Sequence, residues 1–453
     1  MLKINQPKNQ KANIVSPSIP GPKSRDLRAK EDNFIAPGLQ GFALMSGIVV
    51  DEASGSAVTD IDGNTLLDII GGIGVNGLGH SHPKWIKAIS KQIAKASVGS
   101  FTSEARVNLL KKIADHRPTK ELYRTQLYSS GAEAIESALR LAKAYTGKWE
   151  FVSFWGGFHG KTLGALSLMG SEFKNAYGPY ASGSHIIPYA NCYRCPLKTT
   201  YPKCGLACVE QGRKQLKMSK SSGIAAFLIE PMQGTAGNII PPDDFLPAVR
   251  EVANEMGALL LADEMITGFG RTGKFWGIDH SKVKPDIVAI GKQFGGGCPI
   301  SGIISTTKIT AAEPWSVPSG SSSSYGGNPL ASAAGAAAIT IIEKEGLVEN
   351  SKKVGQYFLE QLKPFQSKYP FIGEVRGRGM FLAIELVQDK KTKEPLSKSL
   401  CKQLFDECLQ RGLLTMSYAP SFRIQPSMTT DKGTIDEIVK ILDKSFAAIK
   451  KTF

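Results

Sequence analysis

Three short apolar runs each end on an ionisable residue, and this repetition constrains the fold more than any other feature of the chain. Ala225-Ala226-Phe227-Leu228-Ile229 leads to Glu230, Ala258-Leu259-Leu260-Leu261-Ala262 to Asp263, and Ile287-Val288-Ala289-Ile290-Gly291 to Lys292. Uninterrupted apolar runs of this length read as strands buried on both faces, the habit of parallel sheets. Ligands of such sheets gather beyond the carboxyl ends of the strands. Glu230, Asp263 and Lys292 are therefore expected along one edge. The stretch from Asp263 to Lys292 suits one strand, a crossover and the next strand.

A lysine set among apolar residues and glycines loses its charge readily. Its neutral amine then attacks carbonyls and holds an aldehyde as a Schiff base. An aspartate facing a pyridine nitrogen, with a lysine on the aldehyde, is the recurring arrangement for pyridoxal 5'-phosphate. The residues Leu261-Ala262-Asp263-Glu264-Met265-Ile266-Thr267-Gly268-Phe269-Gly270-Arg271-Thr272-Gly273, followed by Gly291-Lys292, resemble the class III aminotransferases. The resemblance runs from about Val50 to the C-terminus.

It implies a PLP-dependent transferase of fold type I. That is an α/β fold with a mainly parallel seven-stranded-type sheet in a large domain and a small C-terminal α/β domain. The expected division is an N-terminal arm and start of the small domain over 1–62, the cofactor domain over 63–329 and the small domain over 330–453. A homodimer with shared active sites is implied as well. Lys292 would carry the aldehyde cofactor and move the proton, and Asp263 would pair with the ring nitrogen. Glu230 belongs to a Glu-Pro-Met-Gln-Gly segment that matches the family's cofactor edge.

Tyr128-Ser129-Ser130-Gly131-Ala132-Glu133 reads as a strand, a turn and a helix start. Ile135, Ala138, Leu139 and Ala142 recur at helical spacing, and Gly147 follows the end. Free N–H groups at such a start bind phosphate. An ordinary N-cap is the plainer reading, but beside Asp263 and Lys292 the resemblance assigns Ser130, Gly131 and Ala132 to the cofactor phosphate. Phe158 in Phe158-His159-Gly160-Lys161-Thr162 matches the aromatic that stacks on the pyridine ring. His159 reads as structural, because the lysine already serves as base. Ser324, in the Ser-rich loop before Asn328-Pro329, stands where the family has a Thr that reaches the neighbouring subunit's phosphate. Arg423, in Arg423-Ile424-Gln425-Pro426, matches the arginine that grips the substrate α-carboxylate; a planar fork suits that task.

The resemblance implies a ping-pong transfer from an amino acid, ω-amino acid or amine to a 2-oxo acid, pyruvate or 2-oxoglutarate. Two departures weaken 2-oxoglutarate as sole acceptor. Thr235 stands where many members have a Glu that masks an arginine, and Ile266 where many have a Gln. An amino-acid racemase or epimerase of the same family is the alternative. A non-catalytic cofactor-binding protein fits less well, since no catalytic position is lost. A nucleotide site lacks both a Gly-x-Gly-x-x-Gly junction and a Walker lysine.

The net charge of +15 reads as a lysine-rich solvated surface or as attraction for anionic substrates, and no nucleic-acid module accompanies it. No apolar run spans a bilayer, no signal-like apolar stretch opens the sequence, and a cytoplasmic enzyme is expected. Residues 1–35 read as an irregular arm, and within 1–30 Lys3, Lys8, Lys11, Lys23, Arg25, Arg28 and Lys30 stand against a single acid, Asp26. Its Pro20-Gly21-Pro22-Lys23-Ser24 stretch resembles the family's entry arm. His80 and His82 read as loop residues rather than metal ligands. Cys192, Cys195, Cys204 and Cys208 have C-x2-C and C-x3-C spacing. That pattern fits a metal or redox knot better than a disulfide framework. Reduced packing cysteines are the plainer reading, and no metal is assigned.

Overall fold

The computed structural model describes residues 6–219 and 223–453. Lys3 lies outside the described residues. Contacts divide the chain into two units, the described parts of Met1–Pro83 with Lys344–Phe453 and of Lys84–Glu343.

In the first unit, β1 (Val50–Ser54), β2 (Ala57–Asp60) and β3 (Thr65–Asp68) form an antiparallel meander. The Asp60 carboxylate accepts the Asp62 and Asn64 N–H groups and turns β2 into β3. Asp62 in turn accepts from the Lys23 and Ser24 N–H groups at 2.8 and 2.9 Å. Those bonds cap a helix, Pro22–Glu31, inside the stretch expected to be an irregular arm. The composition is polar, but proline sits at the first helical turn, where its missing donor costs nothing. The pairs Lys30–Asp26 (2.7 Å) and Arg28–Asp32 (2.8 Å) support the exposed face. Gly21 is required there, because a Cβ would lie 2.3 Å from Asp62 Cγ.

The second unit holds a seven-stranded sheet. Its strands are β4 (Arg124–Tyr128), β5 (Glu150–Phe154), β6 (Ser184–Ile187), β7 (Ile224–Ile229), β8 (Leu259–Asp263), β9 (Ile287–Ile290) and β10 (Ser301–Ser305). Their order is β4-β10-β9-β8-β7-β5-β6. The sheet is parallel from β9 through β6, and β10 alone runs against its neighbours. Every residue of β7 and β9 is buried, as their continuous apolar runs require. The helix Gly131–Thr146 covers one face with Ile135, Ala138, Leu139 and Ala142, all buried. Burial of Ile135 or Leu139 stabilises by about 1.5–3 kcal/mol each. Gly147 follows with φ 66°, the left-handed residue that ends the helix.

The chain returns to the first unit through β11 (Ile372–Arg378), β12 (Phe381–Leu386), β13 (Leu413–Leu414) and β14 (Ser421–Ile424). Strands β11, β12 and β14 form an antiparallel sheet, and β13 adds in parallel to β3. The segment Val375–Leu386 is a hairpin. It turns at Gly379 (φ 57°), where Gly355 leaves room for the turn's backbone. The core of this unit includes Phe358, Phe371, Leu382, Phe422, Ile438 and Phe446.

Candidate active site

Parallel pairing brings the three expected strands side by side, with β8 between β7 and β9. Ile229 pairs with Ala262, and Asp263 with Ala289. Glu230, Asp263 and Lys292 therefore leave the same edge on neighbouring strands.

Asp263 is buried and both of its oxygens are held. Oδ2 lies 2.7 Å from Nδ1 of His159, and Oδ1 accepts the Met265 N–H at 3.1 Å. A carboxylate can only accept, so the Nδ1–H of His159 donates. The imidazole thus fixes the direction in which the acid points.

The loop carrying His159 is anchored at each side. The Phe158 N–H donates to Glu230 Oε1 at 3.0 Å, and the Thr162 hydroxyl to Glu136 Oε1 at 2.6 Å. Gly160, at φ 132°, brings the loop against the start of the helix Gly131–Thr146. A Cβ there would lie 2.7 Å from Ala132 Cβ. Phe158 is half-buried, edge-on to Phe173 at 5.4 Å.

Glu230 is buried, and its second oxygen accepts the Gly234 N–H at 2.9 Å. One side chain thereby ties down the Phe158 and Gly234 loops together. Burial pushes its pKa up; nearby His159 opposes the rise and Asp263 adds to it. Tyr189 donates to the Glu230 and Pro231 carbonyl oxygens. Gly234 packs on buried Ile266, which would sit 3.2 Å from a Cβ at that position. Thr235 beside it is half-buried.

Ser130 caps the helix Gly131–Thr146. Its hydroxyl accepts the Glu133 N–H at 3.2 Å, while Glu133 reaches back to the Ser129 N–H at 2.9 Å. First-turn N–H groups have no intrahelical acceptor, and Ser130 is exposed with Gly131 and Ala132 partly so. This start is therefore open to an anion. Met265 packs beneath it, 3.0 Å from a Cβ on Gly131 and 2.6 Å from one on Gly291. Two glycines thus let one thioether seat both the helix start and the approach to Lys292.

Lys292 is half-buried and has φ 49°, a left-handed conformation that costs a residue with a side chain about 1–3 kcal/mol. The turn after it is held firmly. Gln293 Nε2 donates to the Gly268 carbonyl, Phe294 stacks on Phe269 with centroids 5.0 Å apart, and the Gly295 carbonyl accepts from the Trp85 indole at 3.1 Å.

Ser324 lies exposed in the loop before the helix Pro329–Lys344. That loop is tied to β4 by the Tyr128 hydroxyl, 2.9 Å from the Ser321 carbonyl. Arg423 lies on β14, in the first unit, paired with Ala383 and half-buried. The supporting roles of Glu136, Met265 and Gly160, and the partner of structural His159, were not read from the sequence. The positive φ at Gly160 is a signal that a Gly after a His could have suggested.

The residues fit pyridoxal phosphate. An oriented acid stands at the sheet edge, a lysine lies on the adjacent strand, a half-buried aromatic stands on an anchored loop, and an open helix start can receive the phosphate.

The profile of the family described as aminotransferase class-III matches residues 42–446. The chain is 34% identical to a leucine/methionine racemase from Thermococcus litoralis, over 89% of this chain and 91% of the relative. It is 33% identical to a 5-aminovalerate aminotransferase from Pseudomonas putida, over 90% and 96%. The solved amine transaminase from an uncultivated Pseudomonas species superimposes with a TM-score of 0.86 at 30% identity, covering 92% of this chain and 98% of that one. The fold is that of the PLP-dependent transaminases, and the chain belongs to the class III aminotransferases.

Proposed function

We propose that this pyridoxal-phosphate-dependent transaminase works through Lys292 and Asp263, and moves an amino group from an amino acid, ω-amino acid or amine to a 2-oxo acid. The observation that carries the assignment of residues is the oriented Asp263, held by His159 at 2.7 Å on the strand next to the one that leads to Lys292.

Bound pyridoxal phosphate supplies an electron sink for the charge left when a substrate Cα loses its proton. Asp263 holds a proton at the pyridine nitrogen, its free direction fixed by His159. Lys292 Nζ would hold the cofactor's aldehyde and, once displaced by the donor, would take up the Cα proton. The N–H groups of Gly131 and Ala132 and the Ser130 hydroxyl bind the phosphate. Phe158 would pack on the ring, and Glu230 orients Phe158 through its backbone. Arg423 as the carboxylate grip and Ser324 as a phosphate contact across a homodimer rest on the sequence resemblance. Exposed Phe101, Leu163 and Tyr325 support an interface between copies. Thr235 offers no carboxylate to mask an arginine, which supports monocarboxylic 2-oxo acids as acceptors.

Among the described residues no helix is long and apolar enough to cross a membrane. The seven free cysteines support a reducing, cytoplasmic setting.

The second reading, a racemase or epimerase using the same residues, is supported by the likeness to the T. litoralis enzyme. The test is the visible absorbance of the holoenzyme with L-alanine, β-alanine, 4-aminobutyrate, L-glutamate and a simple amine, each without acceptor. Conversion of the cofactor band to the aminated form by one donor supports transamination. A protein that binds no cofactor after reconstitution sinks the enzyme reading.

A further inference from the structure

The chemistry above leaves one cluster unused. Between β6 and the helix Ala207–Met218, residues 188–206 form neither helix nor strand. A stretch of that length within a domain has few ladder bonds to hold it and usually serves a purpose. Four of the chain's seven cysteines, Cys192, Cys195, Cys204 and Cys208, fall in or just after it. All four line one small cavity of about 20 Å³, together with Tyr189 and Thr199. A space of that size has room for a single water-sized occupant.

The backbone is shaped around these residues. The Cys195 sulfur lies 3.3 Å from the Thr199 hydroxyl, and the Lys198 N–H closes the turn onto the Cys195 carbonyl at 3.1 Å. Between Cys204 and Cys208 the chain passes through two left-handed residues, Gly205 (φ 54°) and Leu206 (φ 58°). Leucine adopts that conformation only where its surroundings impose it, and here the turn brings both cysteines to the same cavity. The segment also carries Arg194, Lys198 and Lys203, whose charge offsets that of several thiolates.

Two short cysteine pairs on two turns, with no further ligand type, are the donor set of a closed tetrahedral zinc site. We propose that Cys192, Cys195, Cys204 and Cys208 bind one Zn²⁺ through four thiolates and so staple the 188–208 segment. All four positions of the ion are filled by protein, so the site is structural. Among the described residues, no three ligating side chains are already gathered around one point, and the ion itself completes the set. An unbranched Cys re-aims its sulfur by changing χ1 rotamer, and the free energy of metal binding drives such ordering.

The test uses the full-length holoenzyme supplied with Zn²⁺ alone and then dialysed against zinc-free buffer. Expected are about one zinc per chain, its release by a thiol-directed mercurial, and slow reaction of four thiols until release. The double variant C195S/C204S should retain less than a tenth of that zinc while keeping its pyridoxal phosphate, which separates loss of the site from loss of the fold. If that variant does not fold, mercurial release from the wild type decides. A wild type that retains no zinc, with thiols reacting equally fast with and without the ion, overturns the proposal. So does a disulfide within the four in the native protein. Neither outcome bears on the transaminase reading, since cofactor binding is scored separately.

Discussion

His159 Nδ1 lies 2.7 Å from Asp263 Oδ2, with both side chains buried. The pair joins a loop after β5 to the end of β8, and so converts strand order into the direction of one carboxylate.

The first prediction concerns this contact. His159→Ala leaves a buried carboxylate oxygen without its donor, a loss of about 1–3 kcal/mol. The melting temperature of the apoenzyme should fall, and the cofactor should bind more weakly. An unchanged cofactor affinity would show that the orientation of Asp263 does not depend on His159.

Lys292→Ala should abolish turnover, because in the proposed mechanism it removes both the amine that binds the cofactor and the base. General acid–base catalysis alone accounts for about 10²–10⁴ in rate, so the loss should exceed that range. Rapid-quench assay of the donor half-reaction measures it. Relief of the left-handed strain at Lys292 is not expected, since alanine retains a Cβ.

Two glycines separate packing from chain conformation. Gly147→Ala has free space around its Cβ but keeps φ 66°. It should cost about 1 kcal/mol of stability and leave the cofactor bound. Gly160→Ala drives a Cβ to 2.7 Å from Ala132, and should weaken cofactor binding at least tenfold. Equilibrium dialysis and thermal unfolding of both variants give the comparison.

Glu264 provides a pH prediction. It is buried and accepts from Thr267, Gly277 and Ile278, yet burial still pushes its pKa from 4.5 to about 7. The folded state therefore binds this proton more tightly than the unfolded one. The associated stability is present in full below about pH 4.5 and lost as pH rises through about 7. It amounts to about 3 kcal/mol at 1.36 kcal/mol per pKa unit. The stability difference between wild type and Glu264→Gln should shrink by that order across the window. A difference independent of pH would contradict it.

The sheet edge was legible because parallel strands must be apolar throughout. Ala225–Ile229, Ala258–Ala262 and Ile287–Ile290 thus announce both themselves and the residues that follow. The helix after Ser130 was legible from its stripe and caps. Other features depend on partners distant in sequence. Asp62 caps the helix Pro22–Glu31 from beyond it, so the basic composition there read as irregular. Gly379 splits one alternating stretch into a hairpin by a left-handed turn that alternation cannot reveal. Within the site, the residue types were readable but their couplings were not. Glu230 read as a cofactor contact, but that its two oxygens also hold the N–H groups of Phe158 and Gly234 could not be read. Met265 beneath two glycines carries no sequence signature at all.

The measurement that tests the central claim most directly is product analysis of a donor half-reaction. Holoenzyme is mixed with one L-amino donor and no 2-oxo acid, and both the carbonyl product and the donor's chirality are followed. Transamination predicts about one equivalent of carbonyl product per active site, no D-enantiomer, and renewed turnover only when a 2-oxo acid is added. Steady accumulation of the D-enantiomer without acceptor, and without carbonyl product, would contradict it and make the enzyme a racemase.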